Sequence, residues 1–557
     1  MRAAEAVTAD PERLRISALA WLADDPDPET RAELAALIEA LPASTADLTD
    51  RFAGRLRFGT AGLRGPLRAG PNGMNLAVVR ATAAGLVAWL RARNAEGPVV
   101  IGYDARHGSR AFAEETARVV TGARRVALLL PEPLPTPVLA AAVRRQDAVA
   151  GVMVTASHNP PQDNGYKVYL GQRLGGPAGA GAQLVSPADA EIEAAIRAVG
   201  PLAEVPLGGP GTVLGVDTVD AYTAAAAAVA TTASASRLTV AYTPLHGVGG
   251  QPLAEVLTRA GFAAPLTVTE QFAPDPDFPT VAYPNPEEPG VMDRVLALGS
   301  AHGADLAIAN DPDADRCAVA VADPATGTWR VLRGDELGIL LADHLMRRGV
   351  SGRYATTIAS STLLSRLCAA RGMPYGETLT GFKWIMRAGT DLVFGYEEAL
   401  GYCVAPALVR DKDGITAALL ACELAAELAE TGRTPLDRLD ELAVEFGVHA
   451  TDQLSVRVND LAAIAAAMAT IRARPPEALL GQPVTQRRDL LPDAEVFLTA
   501  TATARSVVRP SGTEPKLKAY LEVVEPAADG DTGAARERAA VALARLRAET
   551  AGALGLD

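Results

Sequence analysis

The sequence predicts a chain of several α/β domains, and three observations predict it. At 557 residues the chain exceeds what one hydrophobic core holds, so three to five domains are expected. Short apolar runs alternate with stretches of helical period, the pattern of sheets whose strands are joined through helices. That alternation recurs in three successive stretches, and a fourth, smaller stretch near the C-terminus reads as strands with a closing helix.

Composition narrows the function classes. Apolar residues make up 49% and aromatic residues 4%, as in an ordinary globular protein rich in small helix formers. A net charge of −14 with no basic stripe argues against a nucleic-acid or anionic-membrane partner. The four cysteines (Cys317, Cys368, Cys403, Cys422) are widely spaced and form no CxxC pair, which points to reduced thiols in the cytoplasm. Acidic residues interrupt any N-terminal apolar run, so no signal peptide is expected, and the Ala-rich run 223–235 reads as a helix, not a membrane span.

Residues 1–50 read as two helices forming an N-terminal extension; Asp27-Pro28-Glu29 supplies a cap, a proline at the first helical position and an early acid. Domain 1 is expected over 51–205. It opens with Arg57-Phe58-Gly59-Thr60-Ala61-Gly62-Leu63-Arg64-Gly65, whose glycines permit close backbone approach and whose Arg64 offers a fork of donors. The Gly-Lys-Ser/Thr ending of a Walker loop is absent. A helix at 76–93, a strand at 99–103, a helix at 110–120, a strand at 126–130 and a helix at 137–145 then lead to a buried strand ending at Val154. Thr155-Ala156-Ser157-His158-Asn159-Pro160 breaks that strand, and Asn164-Gly165-Tyr166-Lys167 follows. Ser157 is a hydroxyl nucleophile at the rim of a sheet, beside groups able to move protons or hold anionic charge. For an isolated Ser-His pair a serine capping the turn before Asn-Pro is the better explanation, so the assignment rests on the other loops. The Gly/Ala/Pro-rich stretch 171–182 reads as a surface loop.

Domain 2 is expected over 206–325. Its turn Thr243-Pro244-Leu245-His246-Gly247-Val248-Gly249-Gly250 is no dinucleotide fingerprint, because Pro252 occupies the third glycine position. The run 272–289 is irregular loop. A strand at 305–309 ends in Asn310-Asp311-Pro312-Asp313-Ala314-Asp315-Arg316. Asp311, Asp313 and Asp315 alternate on a tight turn and can converge on one hard cation, which would also relieve their mutual repulsion. An EF-hand fails, because Arg316 and Ala322 stand where its Gly and Glu belong, and a Mg²⁺ site fits better.

Domain 3 (326–440) carries two charged loops: Thr380-Gly381-Phe382-Lys383-Trp384 couples a cation to an aromatic surface, and Gly395-Tyr396-Glu397-Glu398-Ala399 sets two carboxylates at a strand end, able to accept from sugar hydroxyls. Arg410-Asp411-Lys412-Asp413-Gly414 follows. Domain 4 (441–557) contains Arg509-Pro510-Ser511-Gly512-Thr513-Glu514-Pro515-Lys516, whose hydroxyls, flexible backbone and two cations make a phosphate grip.

Taken together, TASHNP with NGYK, DPDADR, GYEEALG and RPSGTEPK strongly resemble the signature segments of the α-D-phosphohexomutase superfamily, over nearly the whole chain. FGTAGLRG, TPLHGVGG and TLTGFKW look like its phosphoglucomutase/phosphopentomutase branch. The resemblance implies three similar mixed α/β domains plus a smaller C-terminal α+β domain around a central cleft. It implies a Mg²⁺-dependent phosphosugar mutase working through a phosphoserine at Ser157 and a sugar bisphosphate, such as glucose 1,6-bisphosphate, that also serves as activator. By the same resemblance Ser157, Asp311, Asp313 and Asp315 hold the metal, and Arg64, His158 and Lys167 surround the transferring group. Lys167 would be the proton mover, which calls for a lowered pKa, with His158 assisting and Arg64 stabilising charge. Arg509, Ser511, Gly512, Thr513 and Lys516 match the loop for the non-reacting phosphate. Glu397 and Glu398 match the hydroxyl readers, and Arg316, Lys383 and Lys412 match ligand-facing cations. Ala399 departs from the Ser that many glucose-specific members carry, which makes a pentose phosphate credible beside a hexose phosphate. A related bisphosphate synthase or a non-catalytic sugar-phosphate binder would share these motifs, and neither the oligomeric state (monomer or dimer) nor the preferred sugar follows from them.

Overall fold

The computed structural model describes residues 10–231, 238–323, 326–457, 461–510, 516–527 and 530–555. The chain divides into two compact units, the first formed by Met1–Ala320 with Tyr402–Glu423 and the second by Val321–Gly401 with Leu424–Asp557.

In the first unit the apolar runs become fully buried strands, because helices cover both sheet faces. The strands are β1 (Leu63–Pro66), β2 (Val99–Tyr103), β3 (Ala127–Leu129), β4 (Ala150–Val154), β5 (Asp163–Leu170), β6 (Ala182–Gln183) and β7 (Thr212–Val213). They pair in the order β1-β5-β4-β2-β3-β7, with β6 on β5. The β2–β4, β2–β3 and β3–β7 pairs are parallel, whereas β5 turns back antiparallel to both β4 and β1, so the sheet is mixed. Helix Leu76–Ala92 sets Val79, Leu86 and Leu90 against Val99, Ile101, Val152 and Val154; each such side chain contributes roughly 1.5–3 kcal/mol by leaving water. Asn75 starts that helix by accepting from Val78 N at 3.0 Å. A second sheet sets β8 (Val240–Thr243) between β9 (Leu266–Thr267) and β10 (Leu306–Ala309), all parallel, with β11 (Ala318–Asp323) beside β10.

Two expectations differ. The N-terminal extension has three helices, not two: Pro11–Asp24, Pro28–Glu39 and Thr45–Arg51. The third is too short to declare a period, and it is held because Leu48 packs with Leu14, Leu34 and Ala69, and Arg51 donates to Glu33 Oε1 at 2.6 Å. The stretch read as a surface loop at 171–182 contains helix Gln172–Gly179, interrupted at Gly176 (φ 64°), and then β6. Glycine masked the helical signal there, since only its freedom at positive φ lets the turn continue.

The second unit includes β12 (Thr328–Val331) and carries β13 (Arg353–Thr357) between β14 (Tyr375–Thr378) and β15 (Leu392–Glu397), with β13 parallel to both. Helix Gly334–Arg347 lies so close that a Cβ on Gly334 would meet the Glu398 carbonyl oxygen at 1.9 Å. After β16 (Gly401–Cys403), β17 (Val448–Arg457), the small hairpin β18 (Ala478–Leu479) and β19 (Gln482–Pro483), β20 (Gln486–Asp489), β21 (Phe497–Ala500), β22 (Ala504–Pro510) and β23 (Lys516–Glu525) complete the set. The last sheet is antiparallel in the order β17-β23-β22-β21-β20, and helices Leu461–Ala473 and Thr532–Leu554 share its core. β17 runs ten residues, and its half-exposed alternation carries polar residues that pairing with β23 explains.

Helix Pro435–Phe446, which falls where the sequence suggested a domain boundary, is fastened through Arg438: its Nη2 and Nε donate to the buried Asp343 at 2.6 and 2.9 Å. Burial would raise the Asp343 pKa, but Arg438 and then Arg347 outweigh it and hold the carboxyl below its usual range. Replacing Arg438 by Met should therefore destabilise the second unit by about 3–5 kcal/mol in urea denaturation at pH 7. Because the folded pKa is depressed, this contribution is present above about pH 4 and is lost as the pH falls further, so the difference between variant and native should shrink in acid.

Candidate active site

The serine loop starts where β4 ends. Thr155 Oγ1 accepts from Ser157 N at 2.9 Å, and Ser157 itself takes a left-handed backbone (φ 51°) that a non-glycine residue adopts at a cost. Its hydroxyl is buried and donates to Asp311 Oδ2 at 2.7 Å, with His158 Nδ1 at 3.1 Å.

The acidic loop starts where β10 ends. Asn310 braces it, donating from Nδ2 to Arg316 O at 2.6 Å and accepting on Oδ1 from Tyr242 OH at 2.9 Å. Gly247 and Gly414 lie against its backbone, where a Cβ would meet Pro312 Cα at 2.3 Å and Arg316 O at 2.2 Å. Asp311, Asp313 and Asp315 are each fully buried, and their ligand atoms lie within 4.8 Å of one another. Lys167, on antiparallel β5, reaches Asp313 Oδ2 at 2.8 Å and Asp315 Oδ2 at 3.1 Å; Lys412 lies 3.3 Å from Asp315 Oδ2. Thr136 donates to Asp313 Oδ2 at 2.7 Å, and Arg316 N donates to Asp311 Oδ1 at 3.0 Å.

Charge accounts for how these groups titrate. Burial, followed by Asp313 and Asp315, pushes Asp311 well above the carboxylate range. Burial would raise Asp313 too, but the Lys167 ammonium overrides it and holds that carboxyl far below its usual value. Lys167 is the reciprocal case: burial lowers its pKa, Asp313 and Asp315 more than restore it, and the lysine stands above its ordinary value. That differs from the lowered pKa expected of a base, and the cause is two carboxylates in direct contact, which the sequence had not placed there. His158 is pushed well below its usual value by burial, then by Arg316 and Arg64, and stays neutral. The Oδ1 atoms of Asp313 and Asp315 are buried without a hydrogen-bond partner. Three converging carboxylates with two orphaned oxygens are the donor set of a hard divalent cation, so the triad fits a metal site.

Arg64 lies on β1, opposite Gly165 of β5, and donates to Asn159 Oδ1 at 2.8 Å. The preceding Gly62 (φ 79°) leaves no room for a side chain, because a Cβ would stand 1.8 Å from Tyr166 O. Arg316 pairs with Glu287 Oε2 at 3.2 Å. The first unit thus brings together Ser157, His158, Lys167, Arg64, Arg316, Lys412 and the three aspartates.

The remaining predicted residues lie in the second unit. Lys383 sits on the short helix Phe382–Ile385. Glu397 ends β15, and Glu398 Oε2 accepts from Ser360 Oγ at 3.0 Å and Thr357 Oγ1 at 3.2 Å. Arg509 lies one residue before the end of β22 and Lys516 opens β23; Ser511, Gly512 and Thr513 lie outside the described residues. Burial and then Glu398 raise the Tyr520 pKa, while Arg509 hydrogen-bonds it, so the diacid loop and the arginine loop share one neighbourhood. Sequence reasoning missed Thr136, whose Pro135-Thr136-Pro137 setting carries only a turn signal, and the backing role of Gly247 and Gly414.

The chain matches the four domain models of the phosphoglucomutase/phosphomannomutase family: α/β/α domains I, II and III at residues 55–201, 220–326 and 333–446, and the C-terminal domain at 454–540. It is 44% identical to a probable phosphomannomutase of Haemophilus influenzae, over 81% of this chain and 93% of that protein. It is 33% identical to mouse phosphopentomutase, over 92% and 90% of the two chains, and 32% identical to a Staphylococcus aureus phosphoglucomutase, over 86% and 91%. Among solved structures, a Thermus thermophilus protein provisionally named a phosphomannomutase superposes with a TM-score of 0.69 at 27% identity, covering 89% of this chain and 99% of that one. With domain models matched from residue 55 to residue 540 and a serine–carboxylate site inside them, the chain belongs to the phosphoglucomutase/phosphomannomutase family.

Proposed function

We propose that Ser157 carries the phosphoryl group by which this phosphosugar mutase interconverts a sugar 1-phosphate with the 6-phosphate, or with the 5-phosphate of a pentose. The observation that carries the reading is the Ser157 hydroxyl 2.7 Å from Asp311, inside a buried three-carboxylate cluster. In the first half-reaction the bond from phosphorus to Ser157 Oγ breaks and one to the free sugar hydroxyl oxygen forms, giving a bisphosphate. The sugar hydroxyl loses a proton and Ser157 Oγ regains one. In the second half the bisphosphate, turned end for end, returns its other phosphoryl to Ser157. Lys167 takes the hydroxyl proton, His158 assists from beside Ser157 Oγ, and Arg64 stabilises charge on the moving group. Mg²⁺ held by Ser157, Asp311, Asp313 and Asp315 would neutralise the carboxylates and the phosphoryl oxygens, and so remove the charges that keep Lys167 protonated.

Arg509, Ser511, Gly512, Thr513 and Lys516 would grip the non-reacting phosphate, and Glu397 and Glu398 would read sugar hydroxyls. Arg316, Lys383 and Lys412 would face the ligand. The proposed domain limits are 51–205, 206–325, 326–440 and 441–557 after a helical extension over 1–50. The proposed compartment is the cytoplasm, where four buried free thiols stay reduced. Hexose phosphates are the substrates proposed; a pentose phosphate is the second reading, favoured by Ala399 and by the identity with mouse phosphopentomutase.

Ser157→Ala should lower kcat by roughly 10⁴-fold or more with an unchanged circular-dichroism spectrum, and normal turnover would refute the assignment. Chelation should abolish turnover and Mg²⁺ should restore it. Asp313→Asn should weaken Mg²⁺ binding by about tenfold or more in calorimetric titration, because the site loses a charged ligand. Assayed side by side with a bisphosphate activator, glucose- or mannose-1-phosphate should exceed ribose- and deoxyribose-1-phosphate in kcat/KM by about tenfold; the reverse order selects the pentose reading.

A further inference from the structure

We propose that Arg106 is the positioning residue of the serine loop: its guanidinium sets the left-handed turn at Ser157 and thereby aims Oγ at the carboxylate triad. This rests on the reading of Ser157 given above. Strands β2 and β4 are parallel with Tyr103 opposite Val154, so Arg106 and Ser157 stand three residues beyond neighbouring strand ends. From there the guanidinium donates to four backbone carbonyls of the serine loop. Nη2 reaches Ser157 O at 2.6 Å and Asn159 O at 2.5 Å, and Nη1 reaches Pro160 O at 2.8 Å and Asp163 O at 3.2 Å.

The side chain is held from every direction. It is only 1% exposed, its Nε lies 3.5 Å from Asp104 Oδ2, and its carbon end lies 4.9 Å from the centre of the Phe278 ring. Asp104 is fixed in turn by accepting from Ser109 Oγ at 2.6 Å and from Arg106 N at 3.1 Å. Phe278 comes from the irregular stretch of the second α/β region, so the peg that holds the serine loop is clamped by the region that carries the acidic loop. Four carbonyls turned inward are tolerable only around a planar cation with donors on two nitrogens, a geometry that an ammonium cannot reproduce. Without it the loop loses the interactions that over-determine φ at Ser157 and relaxes toward an ordinary backbone. Arg106 touches no reacting atom on this account and acts through the loop.

The test compares Arg106→Lys, Arg106→Ala and Ser157→Ala as full chains with Mg²⁺, a sugar 1-phosphate and a bisphosphate activator. Arg106→Lys keeps charge and stem, and should fold while kcat falls about 100-fold, the effect of misplacing a reacting oxygen by about an ångström. The KM for the sugar phosphate should stay within about threefold, because the phosphate grip and hydroxyl readers are untouched. Methylguanidinium added to Arg106→Ala should restore kcat at least about tenfold, and saturably, which a purely structural loss would not show. A folded Arg106→Lys with kcat within about threefold of native, or with its loss expressed only in KM, overturns the proposal. Should Ser157→Ala retain turnover, the reading of Ser157 fails. An inactive Ser157→Ala beside a fully active Arg106→Lys removes this inference alone.

Discussion

Three carboxylates buried within 4.8 Å of one another are the constraint on which the first unit depends. Two like charges about 4 Å apart repel by roughly 4 kcal/mol even at an effective dielectric of 20, so the acidic loop holds only if something answers its charge. The answer is distributed: Lys167 bridges Asp313 and Asp315, Lys412 reaches Asp315, and Asp311 is driven toward its protonated form. Each of these is an alternative to the divalent ion that the orphaned Asp313 and Asp315 oxygens fit. The loop is thus answered in charge by the lysines, and its geometry fits a divalent ion as well.

Around that constraint the fold supplies convergence. The serine loop leaves the end of β4, the Arg106 turn leaves the end of β2 and the acidic loop leaves the end of β10, so all three emerge at carboxyl ends of parallel strands, where α/β sheets place their ligands. β5 runs the other way, and that reversal is what returns Lys167 to the same end beside Ser157. The glycines that back the acidic loop serve packing: at Gly247 and Gly414 one added carbon would push the aspartates out of register. In the second unit, hydroxyls hold the diacid loop. Ser360 and Thr357 hold Glu398, Arg505 Nη1 holds the Ser360 carbonyl at 3.1 Å, and Glu522 is kept down near a pKa of about 2, where burial alone would raise it, by His449, Ser361 and Arg505.

Local signals read well where one interaction dominates. Strand β2 was legible to the residue, because an uninterrupted apolar run leaves one solution. Helix Gln172–Gly179 was not, since its glycines read as loop. The length of strand β17 has no local signal, because its polar, half-exposed residues gain their reason only from the ten-residue pairing with β23. At the site, Ser157 and the aspartates announce themselves through residue type at a strand end. Thr136 and Arg106 do not: a threonine between prolines and an arginine after Asp104 have many uses, and a partner 177 or 51 residues away selects one.

By itself the amino-acid sequence determined the order of the domains and the identity of the groups able to move phosphate, since residue type and strand-end position are local properties. Tertiary structure alone decided that Lys167 meets two carboxylates that raise its pKa, that His158 stays neutral, and that one arginine gathers the carbonyls of the serine loop. Charge state and aim depend on distances between loops that leave different strands, and no period along a chain encodes those distances.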